Sequence, residues 1–281
     1  MIVGHETPIT LLKDLADRNV LHHGYLFLGD EGIGKRTVAL GLAHYLEYQK
    51  FEWEDCANTP LSDCMVYDGE GKSLPIAAVR AARKFLATHP ARSPRRTIIL
   101  NDANLLTDES QNTLLKITED APSSALIIFI AHHEDMIRPT LRSRLHRIYF
   151  TPPPQEAVAR WLQETHHIPA QKAARIAAYA LGKPGTASRL VTDDIFKKHF
   201  AAARAFLQKS PHSSFSAATI VKEEFFSFPQ FLTALLFLVI AEKNYALWRP
   251  IITLRQKATS LNLNPRLQLE SLRAACYNNL R

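Results

Sequence analysis

Three short runs, residues 25–28 (YLFL), 95–100 (RRTIIL, apolar from Ile98 on) and 125–132 (ALIIFIAH), carry apolar residues at successive positions. A strand with one wet face alternates apolar and polar residues, so strands that do not alternate are covered on both faces. Segments with helical spacing lie between them. Ile9, Leu12, Leu15 and Ala16 mark one in residues 8–21, and Val38, Leu42, Tyr45 and Leu46 mark another in residues 35–49. Residues 74–89 and 107–120 read as two more helices, and residues 64–68 (CMVYD) as a short strand. In the helix of residues 107–120, Thr107 is a cap, Asp108 and Glu109 suit the positive helix end, and Pro122 marks the stop. Strand and helix in alternation predict a parallel α/β sheet with helices on both sides.

The pattern changes at Pro152, Pro153 and Pro154, which continue neither a helix nor a strand. Beyond them the chain reads as helical to its end, interrupted near residues 210–216 and at Pro229, Pro250 and Pro265. Three domains are expected: an α/β domain over 1–151, a small helical lid over 152–192 and a helical collar for oligomerisation over 193–281. Cys56, Cys64 and Cys276 are odd in number and widely spaced, so no disulfide framework is expected. Residues 1–12 lack the basic start and continuous apolar core of a signal peptide, which makes a cytoplasmic protein the expectation. The longest apolar run, residues 231–241, is well short of the ~20 residues that span a bilayer. It is read as a buried helix, with no membrane role.

The formal net charge of +7 is uneven, with 17 Lys and Arg against 19 Asp and Glu in residues 1–150 and 17 against 8 thereafter. Within the front half, Lys72, Arg80, Arg83, Lys84, Arg92, Arg95 and Arg96 fall in a stretch without one acid. Such a cluster either meets nucleic-acid phosphates or forms a solvated face. Arg80, Arg83 and Lys84 stand at i, i+3 and i+4, which puts them on one helix face.

Residues 29–37 (GDEGIGKRT) follow an apolar run and precede a helix, which is the context of a phosphate-binding loop. Gly29, Gly32 and Gly34 let backbone N–H groups turn inward, the helix start is positive, and Lys35 reaches terminal phosphates. The competing reading is a chance glycine turn. Position 36 is Arg where a hydroxyl would ligate magnesium, and Thr37 comes one residue late. After the run TIIL stand Asn101 and Asp102, where an acidic pair would hold the metal. They are read as a weakened metal site or as the cap of a strand end. Two weakened positions in one chain predict that nucleotide (ATP or ADP) is bound at most without being hydrolysed.

Residues 95–154 resemble the AAA+ clamp-loader family, closest to its delta-prime branch. The likeness extends to residues 22–37, 73–96 and 181–190 (LGKPGTASRL), and weakly to 261–275. It implies a P-loop NTPase-like (AAA+) sheet domain followed by a lid and a collar. It also implies membership of a hetero-oligomeric ring that loads a sliding clamp on primer–template DNA during DNA replication, serving DNA polymerase III. The implied partners are motor (gamma/tau-type) and delta-type subunits. In that family a Ser-Arg-Cys motif lends its arginine to a neighbour's ATP site. Here the matching residues are Ser143, Arg144 and Leu145. The bland alternative is a solvated loop among Arg138, Arg142 and Arg147. The family's zinc module is not matched, because Cys56 and Cys64 do not form the required pairs, so no zinc and no other metal is expected. The histidine pairs 22–23, 132–133 and 166–167 are read as surface or capping residues. The lid's sensor arginine aligns with Thr186, with Arg189 three residues on. Two rival functions remain: an active AAA+ ATPase or motor subunit, and a plain scaffold with an idle Arg144.

Overall fold

The computed structural model describes residues 2–50, 59–68, 76–208, 220–223, 226–244, 247–260 and 264–278. The chain divides into two compact units, Met1–Pro154 and Gln155–Arg281. The division falls at the end of the proline run, three residues after the expected boundary at 151.

The first unit is the expected α/β P-loop NTPase-like domain. Its strands are β1 (Gly24–Leu28), β2 (Cys64–Tyr67), β3 (Arg96–Leu100), β4 (Ala125–Ala131) and β5 (His146–Tyr149). All neighbouring pairs are parallel, in the order β2-β3-β4-β1-β5. Around them lie α1 (Glu6–Asp17), α2 (Lys35–Tyr48), α3 (Ile76–Leu86), α4 (Asp108–Glu119) and the short α5 (Pro139–Arg142). Successive strand residues point to opposite faces, and here both faces are dry. Leu26, Leu28, Ile98, Leu100, Ile127 and Phe129 pack with Val79 and Leu86 of α3 and Leu114 and Ile117 of α4. Tyr25, Phe27, Ile99, Ile128 and Ile130 pack with Leu12 of α1 and Val38, Leu42 and Leu46 of α2. Each such side chain stabilises the fold by roughly 1.5–3 kcal/mol. The expected cap on α4 is present, since the Thr107 side chain accepts from the Ser110 N–H at 3.2 Å.

Strand β5 is an element the apolar patterning does not reveal. It is an edge strand, and of its four residues only Ile148 is buried. Its pairing with β1, Tyr25 opposite His146 through Leu28 opposite Tyr149, fixes the two ends of the sheet.

The second unit is helical, with α6 (Gln155–His166), α7 (Ala170–Tyr179), α8 (Pro184–Thr192), α9 (Asp194–Gln208), α10 (Phe228–Ala241), α11 (Trp248–Ser260) and α12 (Pro265–Asn278). Pro229, Pro250 and Pro265 do not interrupt helices. They lie in the opening turns of α10, α11 and α12, where a missing N–H costs nothing. Residues 210–216 lie outside the described residues. The apolar run at 231–241 is the buried helix α10, whose Phe231, Leu232, Leu235, Leu238 and Val239 are in the core. They pack with Phe200, Ala203 and Phe206 of α9 and Ile251 and Leu254 of α11. Helices of its own unit thus cover the face of α10 that these residues form. No helix among the described residues is long and apolar enough to cross a membrane.

Candidate functional site

The glycine loop leaves the C-terminal end of β1 and enters α2. Gly29, Gly32 and Gly34 have φ of 141°, 76° and 109°, values that L side chains rarely adopt. Gly29 is doubly constrained, since a Cβ there would lie 2.3 Å from the Phe150 carbonyl oxygen. Gly34 caps α2, and the first turn of that helix opens on the loop. Behind it, the buried His5 ring bonds through Nε2 to the Ile33 carbonyl at 2.7 Å and meets Phe150 edge-on. The Lys35 side chain is 5% exposed, and its ammonium donates to the Gly29 carbonyl and, at 2.6 Å, to that of Asp30. A phosphate in this loop would compete with those carbonyls for the same protons.

Arg36 turns away from the loop. Its Nε and Nη2 grip the two Asp68 carboxylate oxygens at 3.0 and 2.7 Å, a fork-to-fork pair just past the end of β2. Thr37 is exposed on the first turn of α2. Asn101 continues the β2–β3 ladder by donating its N–H to the Tyr67 carbonyl at 2.9 Å. Asp102 has φ of 53° and starts a 3₁₀ turn, Ala103–Leu105. Burial pushes the Asp102 carboxyl up, Glu31 and Asp68 add to this, and His132 and Lys35 oppose it. His132, read from the sequence as a surface or capping residue, is half-buried at the end of β4 and shares this electrostatic cluster. Burial and the Lys35 ammonium lower its imidazole pKa, against Glu31 and Asp102. Position directly after an apolar strand was its one sequence signal, and the strand order that brings β4 between β3 and β1 was not available from it. Among the described residues no group of His, Cys, Asp and Glu is arranged to hold a metal ion.

Arg144 lies at the opposite end of the sheet. It precedes β5, whose His146 pairs with Tyr25 near the start of β1, whereas Gly29 follows the end of β1. At ~3.3 Å per residue this is on the order of 20 Å along the strands, beyond the reach of one side chain. Its guanidinium donates through Nη2 to Glu119 Oε1 at 2.6 Å and through Nη1 to the Thr140 carbonyl at 2.8 Å. The Ser143 hydroxyl donates to the same carbonyl at 3.0 Å. Leu145 is buried in the core, packed so closely on Gly24 that a Cβ there would lie 2.6 Å from its Cδ2. Ser143 and Arg144 open on a cleft of about 560 Å³ lined also by His22, His23, Thr118, Glu119 and His146. The His22 and His146 rings are 4.1 Å apart, and His22 Nδ1 accepts the Gly24 N–H at 3.3 Å, a local cap at the start of β1.

The acid-free basic stretch separates into two roles. Arg80, Arg83 and Lys84 are exposed on the face of α3 opposite Val79, Ala82 and Leu86. Arg96 is instead structural: it pairs with the fully buried Asp63 at 3.0 Å and stacks on Phe85 at 4.6 Å. In the helical unit, Arg189 bonds Asp193 at 3.4 Å and lies over Phe196 at 4.2 Å, while Thr186 is half-buried on α8. Burial, with Glu47, pushes the Cys64 thiol up to about 12, so it is held as a thiol. Cys56 lies outside the described residues.

A family model described as "DNA polymerase III, delta subunit" matches residues 4–154. The chain is 26% identical over 204 residues to the DNA polymerase III subunit delta' of Escherichia coli K12, covering 68% of this chain and 60% of that protein. It is 29% identical over 170 residues to the DNA polymerase III subunit gamma/tau of Mycobacterium tuberculosis H37Rv, covering 53% of this chain and 28% of that one. The chain thus spans less than two thirds of the length of these curated relatives. Among solved structures, a DNA polymerase III gamma subunit-related protein from Thermotoga maritima superposes with a TM-score of 0.62 at 20% identity, over 96% of this chain and 99% of that one. That likeness is one of fold, and the α/β unit built around the glycine loop lies within the region that the family model matches. With that model spanning more than half of its residues, the chain belongs to the DNA polymerase III, delta subunit family.

Proposed function

We propose that this chain is a non-motor, delta-prime-type subunit of a bacterial clamp loader, acting in the cytoplasm in DNA replication. It does not turn over ATP itself and lends Arg144 to the ATP site of a neighbouring subunit. The observation that carries this reading is the separation of Arg144 from Lys35 at opposite ends of one sheet. An arginine there does not serve its own chain's loop, while in a ring each subunit turns one such end toward its neighbour. Gamma/tau-type motors, a delta-type subunit, the sliding clamp and primer–template DNA are the partners of this reading.

The chain's own loop fits phosphate better than it fits a metal. The three glycines at positive φ, the start of α2 and Lys35 are a cradle for a nucleotide's phosphates. A divalent ion finds no hydroxyl at Arg36 and no charge at Asn101, which leaves Asp102 as the one carboxylate of that pair. The residues present do not fit magnesium. The purified chain with ATP and magnesium is expected to release phosphate at background rate, unchanged by Lys35→Ala. Turnover that depends on Lys35 would move the chain to the motor class, and failure to co-purify with ring partners would remove the whole reading.

Arg80, Arg83 and Lys84 are assigned to the DNA backbone. They form one exposed basic face and contact phosphates without reading bases. Replacing all three with alanine is expected to weaken binding of the assembled ring to primer–template DNA on every sequence tested. The slope of log K against log salt becomes shallower by about 2–3, at roughly 0.9 per lost phosphate contact. An unchanged slope would reassign this face to bulk solvent.

A further inference from the structure

We infer that Glu119 is the positioning residue for Arg144, holding its guanidinium in one orientation at the cleft so that a neighbour's phosphate meets it already aimed. This rests on the reading that Arg144 acts in trans.

Glu119 stands in an unfavourable place for its own helix. It is the last residue of α4, with Asp120 as the cap, so two acids sit at the end where the helix dipole is negative. Cations are favoured there. The side chain of Lys116, one turn earlier, is the sole basic residue of the last turn. The carboxylate of Glu119 finds its cation across the chain in Arg144, at 2.6 Å. Helix stability does not account for an acid at this position, and the contact to Arg144 does.

The geometry is that of an orienting support. Nη2 is held by Glu119 and Nη1 by the Thr140 carbonyl, so both terminal nitrogens of the planar group are tied to the protein. Two anchors fix the plane and the roll of the guanidinium, whereas one would leave it free to rotate. Each terminal nitrogen carries a second N–H, and Nε carries one more, so donors remain for an incoming anion. The Arg144 side chain is 37% exposed and that of Glu119 is 42% exposed, which keeps the group accessible from the cleft. Arginine loses much rotamer freedom when it is ordered, and support supplied in advance removes that cost from the moment of docking.

The test uses rings in which the one hydrolysis-competent motor site is the site facing this chain. Glu119→Gln is expected to lower kcat at that site about tenfold with KM for ATP unchanged, the scale of a modest loss of orientation. Glu119→Asp, which keeps the charge, recovers part of the loss. In the Arg144→Ala background, Glu119→Gln has no further effect. A fully active Glu119→Gln ring, or one that loses the same factor with and without Arg144, overturns the inference while leaving Arg144's role intact. If Arg144→Ala itself leaves hydrolysis unchanged, both fall together. Glu119→Asp decides the matter should Glu119→Gln fail to enter the ring: full loss of activity in an intact Asp ring counts against a role for the charge.

Discussion

Replacing Arg144 with alanine is expected to leave this chain folded and able to join the proposed ring, and to cut hydrolysis at the ATP site it would face about a thousandfold, the lower end of what an arginine supplied in trans contributes to phosphoryl transfer. The fold is spared because the side chain is partly exposed and its tie to Glu119 is a surface ion pair, worth at most about 1 kcal/mol. The rate is expected to fall because, on the proposed reading, Arg144 is the cation offered to the charge that develops on the transferred phosphate. Arg144→Lys is expected to restore little, since an ammonium lacks the planar fork that engages two oxygens at once. Single-turnover hydrolysis in rings with one competent motor site measures the effect directly. Retention of the wild-type rate by Arg144→Ala rings of normal composition would return the chain to the status of a scaffold.

The parts of the fold that were legible in the sequence are those specified by neighbours in the chain. Unbroken apolar runs at β1, β3 and β4 require cover on both faces, and the cover is there. Thr107 caps α4 through an atom three residues away. By contrast, three arginines that decide how the site is read take their partners from far along the chain. Arg36 is matched by Asp68 at a separation of 32 residues and Arg144 by Glu119 at 25. Arg96 is matched by Asp63, outside the acid-free window that made it look like part of a basic patch. Charge patterning along a sequence counts neighbours, whereas a parallel sheet pairs residues across crossovers, so these ion pairs were invisible until the strand order was known. The same holds for His132, which feels the charges of Lys35 and Glu31 because β4 lies between β3 and β1. Strand β5 was missed for another reason: an edge strand with one buried residue has no apolar run to detect.

The largest effect on stability is expected at Asp63. Its carboxylate is wholly buried and accepts the N–H groups of Ala91, Arg92 and Ser93 at 2.7–2.8 Å, besides pairing with Arg96 at 3.0 Å. It thereby ties the segment before β3 to the start of β2, and its own N–H is fixed by Glu47 at 2.6 Å. Asp63→Ala strips three backbone donors of their acceptor and leaves the Arg96 charge, 14% exposed, without its counter-ion, a change that costs about 3–5 kcal/mol. In a domain of this size that corresponds to a fall in melting temperature of roughly 10 °C. The effect is tied to pH in a defined direction. Burial alone would push the Asp63 carboxyl up, but the three backbone N–H groups and the Arg96 guanidinium outweigh it and hold it below the usual carboxylate value. A carboxylate lowered on folding stabilises the native state fully above its unfolded pKa of about 4, and the contribution fades as pH falls through the lower, folded value. The gap between wild type and Asp63→Asn, which keeps the shape and removes the charge, should therefore be full at pH 7 and shrink below pH 4. Melting curves for the two proteins across that range check it, and a gap that stays constant or widens in acid would show that the charge on Asp63 is not what holds this junction.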